Sequence, residues 1–265
     1  MYLADYHIHS KYSIDGCEDI DTICAEAIKK GLNEICITDH YDPHLNDIYC
    51  EKTYSAFEIK QMVAQAQEKY KGRLKLIYGV EAGQAQIYPE SVKALLNLDF
   101  DYVIGSVHNI LIDEDLAFVN YTEKNKGKYF ETYFSELLQM SRIGLYDCVG
   151  HMDYPKRYAA KAGLDFVYSD YIDIIKSIFK EVISQGRGIE INCSGLRGLI
   201  CEPLPSFDLI KLYRELGGEI ITMGSDAHHL KDVGEKIAEG YELLKNAGFN
   251  YITTYEKRKP HFIKL

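Results

Sequence analysis

The stretch "DYHIHS" (residues 5–10) decides how the rest of the chain is read. It follows a short apolar opening and reads as the end of a β-strand. On a strand alternate side chains share a face, so His7 and His9 present two imidazoles side by side. Two rings so placed are a way to hold a metal ion. An isolated His-x-His is more often a pair of ordinary surface or core histidines, so its meaning depends on what lies further along the chain.

Six more apolar runs of strand type follow: "NEICITDH" (33–40), "LKLIYGVEAG" (74–83), "DYVIGSVH" (101–108), "YDCVGHMD" (146–153), "GIEINCSG" (188–195) and "EIITMGSDAH" (219–228). Helical patterns lie between most of them, among them "DIDTICAEAIKKG" (19–31), "AFEIKQMVAQAQEKYKG" (56–72) and "DYIDIIKSIFKEVISQG" (170–186). These three close on glycine, as helix C-termini often do. Repeated strand and helix, with strands apolar on both faces, is the pattern of a parallel sheet covered by helices. Seven such units suggest an α/β barrel, although pattern alone leaves an open doubly wound sheet as the alternative. No linker interrupts the 265 residues, so one domain over residues 1–265 is expected. The last run, "FNYITTYEKRKPHFIKL" (249–265), reads as a terminal strand followed by a basic tail.

The polar residues fall at one end of these runs: His7 and His9, Asp39 and His40, Glu81, His108, His151 and Asp153, Asn192, then Asp226 and His228. In a parallel α/β fold the C-terminal strand ends converge on one face, where active sites are built. Of nine histidines, His7, His9, His40, His108, His151 and His228 sit at such ends, while His44, His229 and His261 do not. Structural histidines have no reason to choose one end of successive strands, and mixed imidazole and carboxylate ligands suit borderline divalent ions. A carboxylate in such a ring can bridge two ions, because it offers two oxygens and a neutral imidazole cannot bridge in that way.

Other classes are disfavoured. With 40 acidic against 30 basic residues the formal charge is −10, which repels a phosphate backbone. No apolar run approaches a membrane span and the opening residues do not resemble a signal peptide, so a cytoplasmic location is expected. Seven cysteines without a Cys-x-x-Cys argue against a disulfide framework. Oligomeric state is not readable from the sequence.

Taken in order, "DYHIHSKYSIDG", "ITDH", "GVEAG", "GSVH", "GHMDYPKRY", "EINCSGLR" and "GSDAH" resemble the PHP (polymerase and histidinol phosphatase) superfamily of metal-dependent phosphoesterases, over residues 5 to 228. The resemblance implies a distorted seven-stranded β/α barrel with three divalent ions, zinc, iron or manganese. By motif position His7, His9, Glu81 and Asp226 would hold one ion. Glu81 would bridge to a second, held also by His108 and His151. Asp15, His40 and His228 would form the third set. Asp39 and Asp153 are expected to orient ligand imidazoles.

"PKRY" and "EINCSGLR" resemble the stand-alone histidinol-phosphate phosphatases, whereas "NILIDEDLAFVN" (109–120) departs from them. Lys156, Arg157 and Arg197 are the cations expected to clamp phosphate. The implied reaction is hydrolysis of a small phosphate monoester, L-histidinol phosphate first, with His40, His228 or a metal-bound water as candidate proton sources for the leaving alkoxide. The alternatives are a PHP enzyme for a nucleotide or sugar phosphate, an amidohydrolase-like metal hydrolase, and a non-catalytic metal-binding domain. Asp42, Asp47, Glu51, Asp113, Glu114 and Asp115 are candidates to face the amine or imidazole of histidinol phosphate.

Overall fold

The computed structural model describes residues 1–43, 56–112 and 114–265. Its frame is a parallel sheet of β1 (Ala4–Ile8), β2 (Glu34–Ile37), β3 (His40–Tyr41), β4 (Lys75–Gly83), β5 (Tyr102–Ser106), and, after a small antiparallel ribbon of β6 (Asn109–Ile110) and β7 (Glu114–Asp115), β8 (Cys148–Val149), β9 (Gly188–Asn192) and β10 (Ile221–Gly224). The spatial order is β1-β2-β4-β5-β8-β9-β10, with β3 paired beside β4. Seven strands therefore run in chain order around a barrel, as the repeated strand and helix units suggest.

The barrel nearly closes between its first and last strands. Ile8 bridges Ala227 in parallel. The N–H groups of His9 and Asp226 donate across this seam to Ala227 O at 2.9 Å and His7 O at 2.8 Å. Below them Asp5, fully buried, accepts from Ser225 N at 2.8 Å and Gly234 N at 2.9 Å. Closure thus places residues 7–9 against residues 226–228, although more than two hundred positions separate them.

Alternation along the strands divides two cores. Leu76, Tyr78, Val80 and Ala82 of β4 pack outward in the main hydrophobic core, whereas Ile77 belongs to an interior cluster with Ala4, Tyr6, Cys36, Tyr102, Ile104, Cys148 and Tyr255. On the phase of Ile77, Glu81 points into the barrel two pleats higher. β1 changes phase on the way up. Ala4 and Tyr6 are interior but Ile8 packs outward, and the register against β2 shifts between Asp5 and Ile8. A bulge of this kind re-aims side chains, and here it turns His7 and His9 inward.

The terminal segment corrects the expectation of a basic tail. Tyr251–Glu256 (β11) and Lys259–Lys264 (β12) pair antiparallel over their whole length. Lys257 and Arg258 form the turn with φ of 51° and 62°, the left-handed conformation that a tight hairpin requires. Tyr255 plugs the N-terminal end of the barrel interior. Among the described residues no helix is long and apolar enough to cross a membrane.

Candidate metal centre

At the opposite end Glu81 is the hub. Its backbone on β4 lies directly beside His40 on β3, because the two are register partners. Its Oε2 lies 3.0 Å from His40 Nδ1, 3.3 Å from His7 Nε2 and 3.6 Å from His9 Nε2. Its Oε1 lies 3.1 Å from His108 Nε2 and 2.9 Å from His151 Nε2, and accepts from Ser106 Oγ at 2.7 Å. Each oxygen therefore serves a different set of imidazoles. Asp226 completes the first set with Oδ1 at 3.7 Å from His7 Nε2 and 3.6 Å from His9 Nε2. Its φ of 55° turns the chain immediately after β10.

Asp15 sits at the mouth with half its side chain exposed. Its Oδ2 lies 3.0 Å from His228 Nε2 and 3.6 Å from His40 Nε2. The nine expected ligands thus come together, and eight of them, all but His151, form three overlapping groups with donor atoms within 4.8 Å of one another: His9, Asp15, His40 and His228; His7, His9 and Asp226; and His40, Glu81 and His108. Ligands at about 2.0–2.2 Å from a shared ion stand roughly 3.0–3.5 Å apart, which is the spacing around Glu81.

The fit to cations can be tested on the polar atoms themselves. His7 Nε2 and His9 Nε2 are buried without a hydrogen-bond partner, and so is His40 Nδ1. Such atoms are costly unless a ligand answers them. The opposite nitrogens of two of these rings are engaged, His7 Nδ1 with Glu190 Oε1 at 2.6 Å and His9 Nδ1 with Ser13 Oγ at 3.1 Å. A ring held through Nδ1 offers Nε2 as a donor to metal.

Electrostatics follow the same division. Burial pushes His9 down to about 3, helped by the neighbouring rings of His228 and His40. It opposes protonation of His108 too, but Asp42 and Glu81 win and lift that ring to about 10. Burial also disfavours ionised Glu81, yet His7, His40 and His108 hold its carboxyl well below the usual range. Asp226 is held down against burial chiefly by His7 and then by His9, His228 and Arg157. The cluster is a mutually compensating set of imidazoles and carboxylates.

Several expectations are corrected. Asp39 does not orient an imidazole: it accepts from Ser10 N at 2.6 Å and Ser10 Oγ at 2.8 Å, and burial raises its carboxyl to about 6. Asp153 accepts from Lys156 Nζ at 3.1 Å and Ser206 N at 3.1 Å. The imidazole partners are instead Glu190, Ser13 and Asp42. Asp42 is buried with Oδ1 3.1 Å from His108 Nδ1 and Oδ2 3.4 Å from His40 Nδ1, so it is not free to face a substrate amine. Gln84, at φ 59°, packs its amide against the segment after β5; with the amide turned to accept, its oxygen takes His108 N at 3.2 Å and Asn109 N at 2.7 Å. Asp47, Glu51 and Asp113, and His44, lie outside the described residues.

The three cations differ in their freedom. Lys156 is buried between Asp153 and Glu202, its Nζ 3.1 and 3.0 Å from their oxygens. Arg197 donates through Nη1 to Ser225 O at 2.7 Å and through Nη2 to Asp226 O at 3.4 Å, bracing the turn that carries Asp226. Arg157 lies against the cluster itself: Nη2 is 2.6 Å from Ser194 Oγ and 3.4 Å from Asp226 Oδ2, with the guanidinium 5.3 Å from the Tyr154 ring centre.

A cluster of imidazoles and carboxylates at the C-terminal rim of such a barrel has the donor set of a divalent-metal site, and residues 5–194 match the family model of the PHP domain. The chain belongs to the PHP domain family. It is 33% identical over 258 residues to the probable histidinol-phosphatase of Clostridium acetobutylicum, covering 96% of this chain and 97% of that one. The histidinol-phosphatase of Lactococcus lactis is 29% identical over 264 residues, covering 98% and 96% of the two chains. The crystal structure of histidinol phosphate phosphatase from L. lactis, complexed with zinc, L-histidinol and phosphate, superposes with a TM-score of 0.80 at 28% identity over 98% of both chains.

Proposed function

We propose that this chain, as one catalytic domain over residues 1–265, is a metal-dependent histidinol-phosphate phosphatase that converts L-histidinol phosphate and water to L-histidinol and phosphate. The observation that carries the site is the set of buried, unanswered ring nitrogens of His7, His9 and His40 aimed at Glu81. Likeness to full-length histidinol-phosphatases supports the substrate. The residues present fit divalent ions: His7, His9, Asp226 and Glu81 for one, Glu81, His108 and His151 for a second, Asp15, His40 and His228 for a third. Zinc is the ion of the L. lactis complex, and iron and manganese suit the same ligands. Ions held there supply Lewis acidity toward phosphate oxygens and toward a water nucleophile.

The chain's own residues do the rest. Arg157, the cation against Asp226, offers a planar fork to a phosphate oxygen pair. Lys156 and Arg197 support the same wall, the first through Asp153 and the second through the carbonyls of Ser225 and Asp226. His40 and His228 stand on the accessible side beside Asp15. His40, His228 or water at the mouth supplies the proton that the departing alkoxide takes up. Asp115 is the carboxylate we assign to the cationic end of the substrate, since Glu114 beside it accepts from Tyr129 Oη at 2.6 Å. Asp115 pairs with Asn109, next to His108, on the β6–β7 ribbon.

Phosphate release from a panel of monoesters, with diesters and amides as controls, tests the reading. Histidinol phosphate is expected to exceed an uncharged alkyl phosphate in kcat/KM, and Asp115→Asn is expected to narrow that gap while sparing the plain ester. Equal efficiency on both esters in the wild type would assign the site to another phosphate ester.

A further inference from the structure

Glu190 is buried in the barrel interior on β9, with Asn192 on the same strand face one pleat above it. Its two oxygens serve two different ligand groups. Oε1 accepts from His7 Nδ1 at 2.6 Å, and Oε2 accepts from the His151 N–H at 3.0 Å and from Asn192 Nδ2 at 3.3 Å. His7 faces Oε2 of Glu81, whereas His151 faces Oε1. The two residues are thus tied together twice, once by Glu81 from within the cluster and once by Glu190 from below. Space for the lower tie is built into the neighbouring strand end, since a side chain at Gly224 would collide with both Glu190 and His7.

We infer that Glu190 is a positioning residue that couples the two ligand groups on either side of Glu81, setting the tautomer and direction of His7 and the backbone point from which His151 projects. With Nδ1–H given to Glu190, His7 turns a bare Nε2 toward the cluster, the atom that has no protein partner. A carboxylate behind an imidazole fixes its orientation and strengthens it as a ligand. The His151 contact extends the same control to the second group. The inference rests on the metal-centre reading proposed above.

The test is a calorimetric titration of metal-stripped protein with Zn²⁺ and with Mn²⁺, paired with Tm measured in chelator, on wild type, Glu190→Gln, Glu190→Asp and Glu34→Gln. Glutamine keeps the shape but has one acceptor oxygen, so either His7 Nδ1–H or His151 N–H must face an NH2 group. Glu190→Gln is expected to weaken metal binding about ten- to a hundredfold, and Glu190→Asp by less. Glu34→Gln alters a buried carboxylate at the other end of the barrel and is expected to lower Tm with metal affinity unchanged. Wild-type affinity in Glu190→Gln would overturn the inference, as would equal loss of affinity in Glu190→Gln and Glu34→Gln in step with Tm. Should Glu190→Gln not fold, Glu190→Asp decides by the same readout: weakened affinity supports the coupling and unchanged affinity overturns it. Wild-type protein that takes up neither ion would remove the metal-centre reading and this inference with it.

Discussion

At the N-terminal end of the barrel Glu34 is buried and fully answered by protein groups. Tyr2 and Tyr6 donate to its two oxygens at 2.5 Å each, Lys75 Nζ approaches to 3.0 Å, and Tyr6 Oη in turn accepts from Tyr255 N at 2.7 Å. The turn of the closing hairpin is fastened there as well, Arg258 Nε to Asp147 Oδ2 at 2.5 Å and Lys257 N to Asp101 Oδ1 at 2.9 Å. At the C-terminal end, by contrast, Glu81 is buried among five imidazoles, and ring nitrogens of His7, His9 and His40 have no hydrogen-bond partner. Both ends bury polar groups on the same strands. A polar cluster that satisfies itself is architecture, whereas one that leaves converging donors unanswered is built for something the chain does not supply.

Substitutions at the two ends should therefore separate activity from stability. The largest effect is expected from Glu81→Ala or His9→Ala, which should abolish turnover and lower bound metal as measured by elemental analysis. Full metal content with near-normal turnover in either variant would erase the distinction between the ends. Stripping the ions with a chelator should remove phosphatase activity and lower Tm, and adding back a divalent ion should restore both, because a ligand of the native state stabilises it by mass action. A Tm unmoved by stripping would mean that the ring nitrogens are content without cations.

Arginines at the same end should differ from each other. Arg157→Ala is expected to cost on the order of 1.5–3 kcal/mol, roughly ten- to a hundredfold in kcat/KM, with metal content intact. Arg197→Ala should lose metal as well as activity, because its guanidinium holds the carbonyls of the turn that presents Asp226. Identical metal content in the two variants would make Arg197 a phosphate contact like Arg157. The smallest effect on catalysis belongs to Glu34→Gln, expected to cost about 1–3 kcal/mol of stability in denaturant unfolding while kcat/KM stays unchanged.

Much of the active end was legible in the sequence because it repeats a positional rule: His7, His9, His40, Glu81, His108, His151, Asp226 and His228 each close a strand-type run. What escaped reading depends on long-range register. His7 meets Glu190 across 183 positions and Asp42 meets His108 across 66, and neither pairing has a local signature. Asp42 stood in a polar loop where a solvated acid is the ordinary expectation. Glu190 had one faint signal, since Glu190 and Asn192 alternate with Ile189 and Ile191 in "GIEIN", which gives an otherwise apolar strand one polar face. The hairpin was missed for a different reason. Its turn is Lys257-Arg258 instead of a glycine-bearing pair, and lysine and proline in an edge strand read as a tail although they are also what keeps such an edge from pairing with another chain.

Anomalous scattering from crystals grown with Zn²⁺ or Mn²⁺, recorded on both sides of the metal's absorption edge, tests most directly whether the unanswered end of the barrel is a metal centre. Strong peaks are expected between Glu81 Oε2 and the Nε2 atoms of His7 and His9, between Glu81 Oε1 and the rings of His108 and His151, and beside Asp15, His40 and His228. Peaks absent from these positions, with the same rings in place, would contradict it.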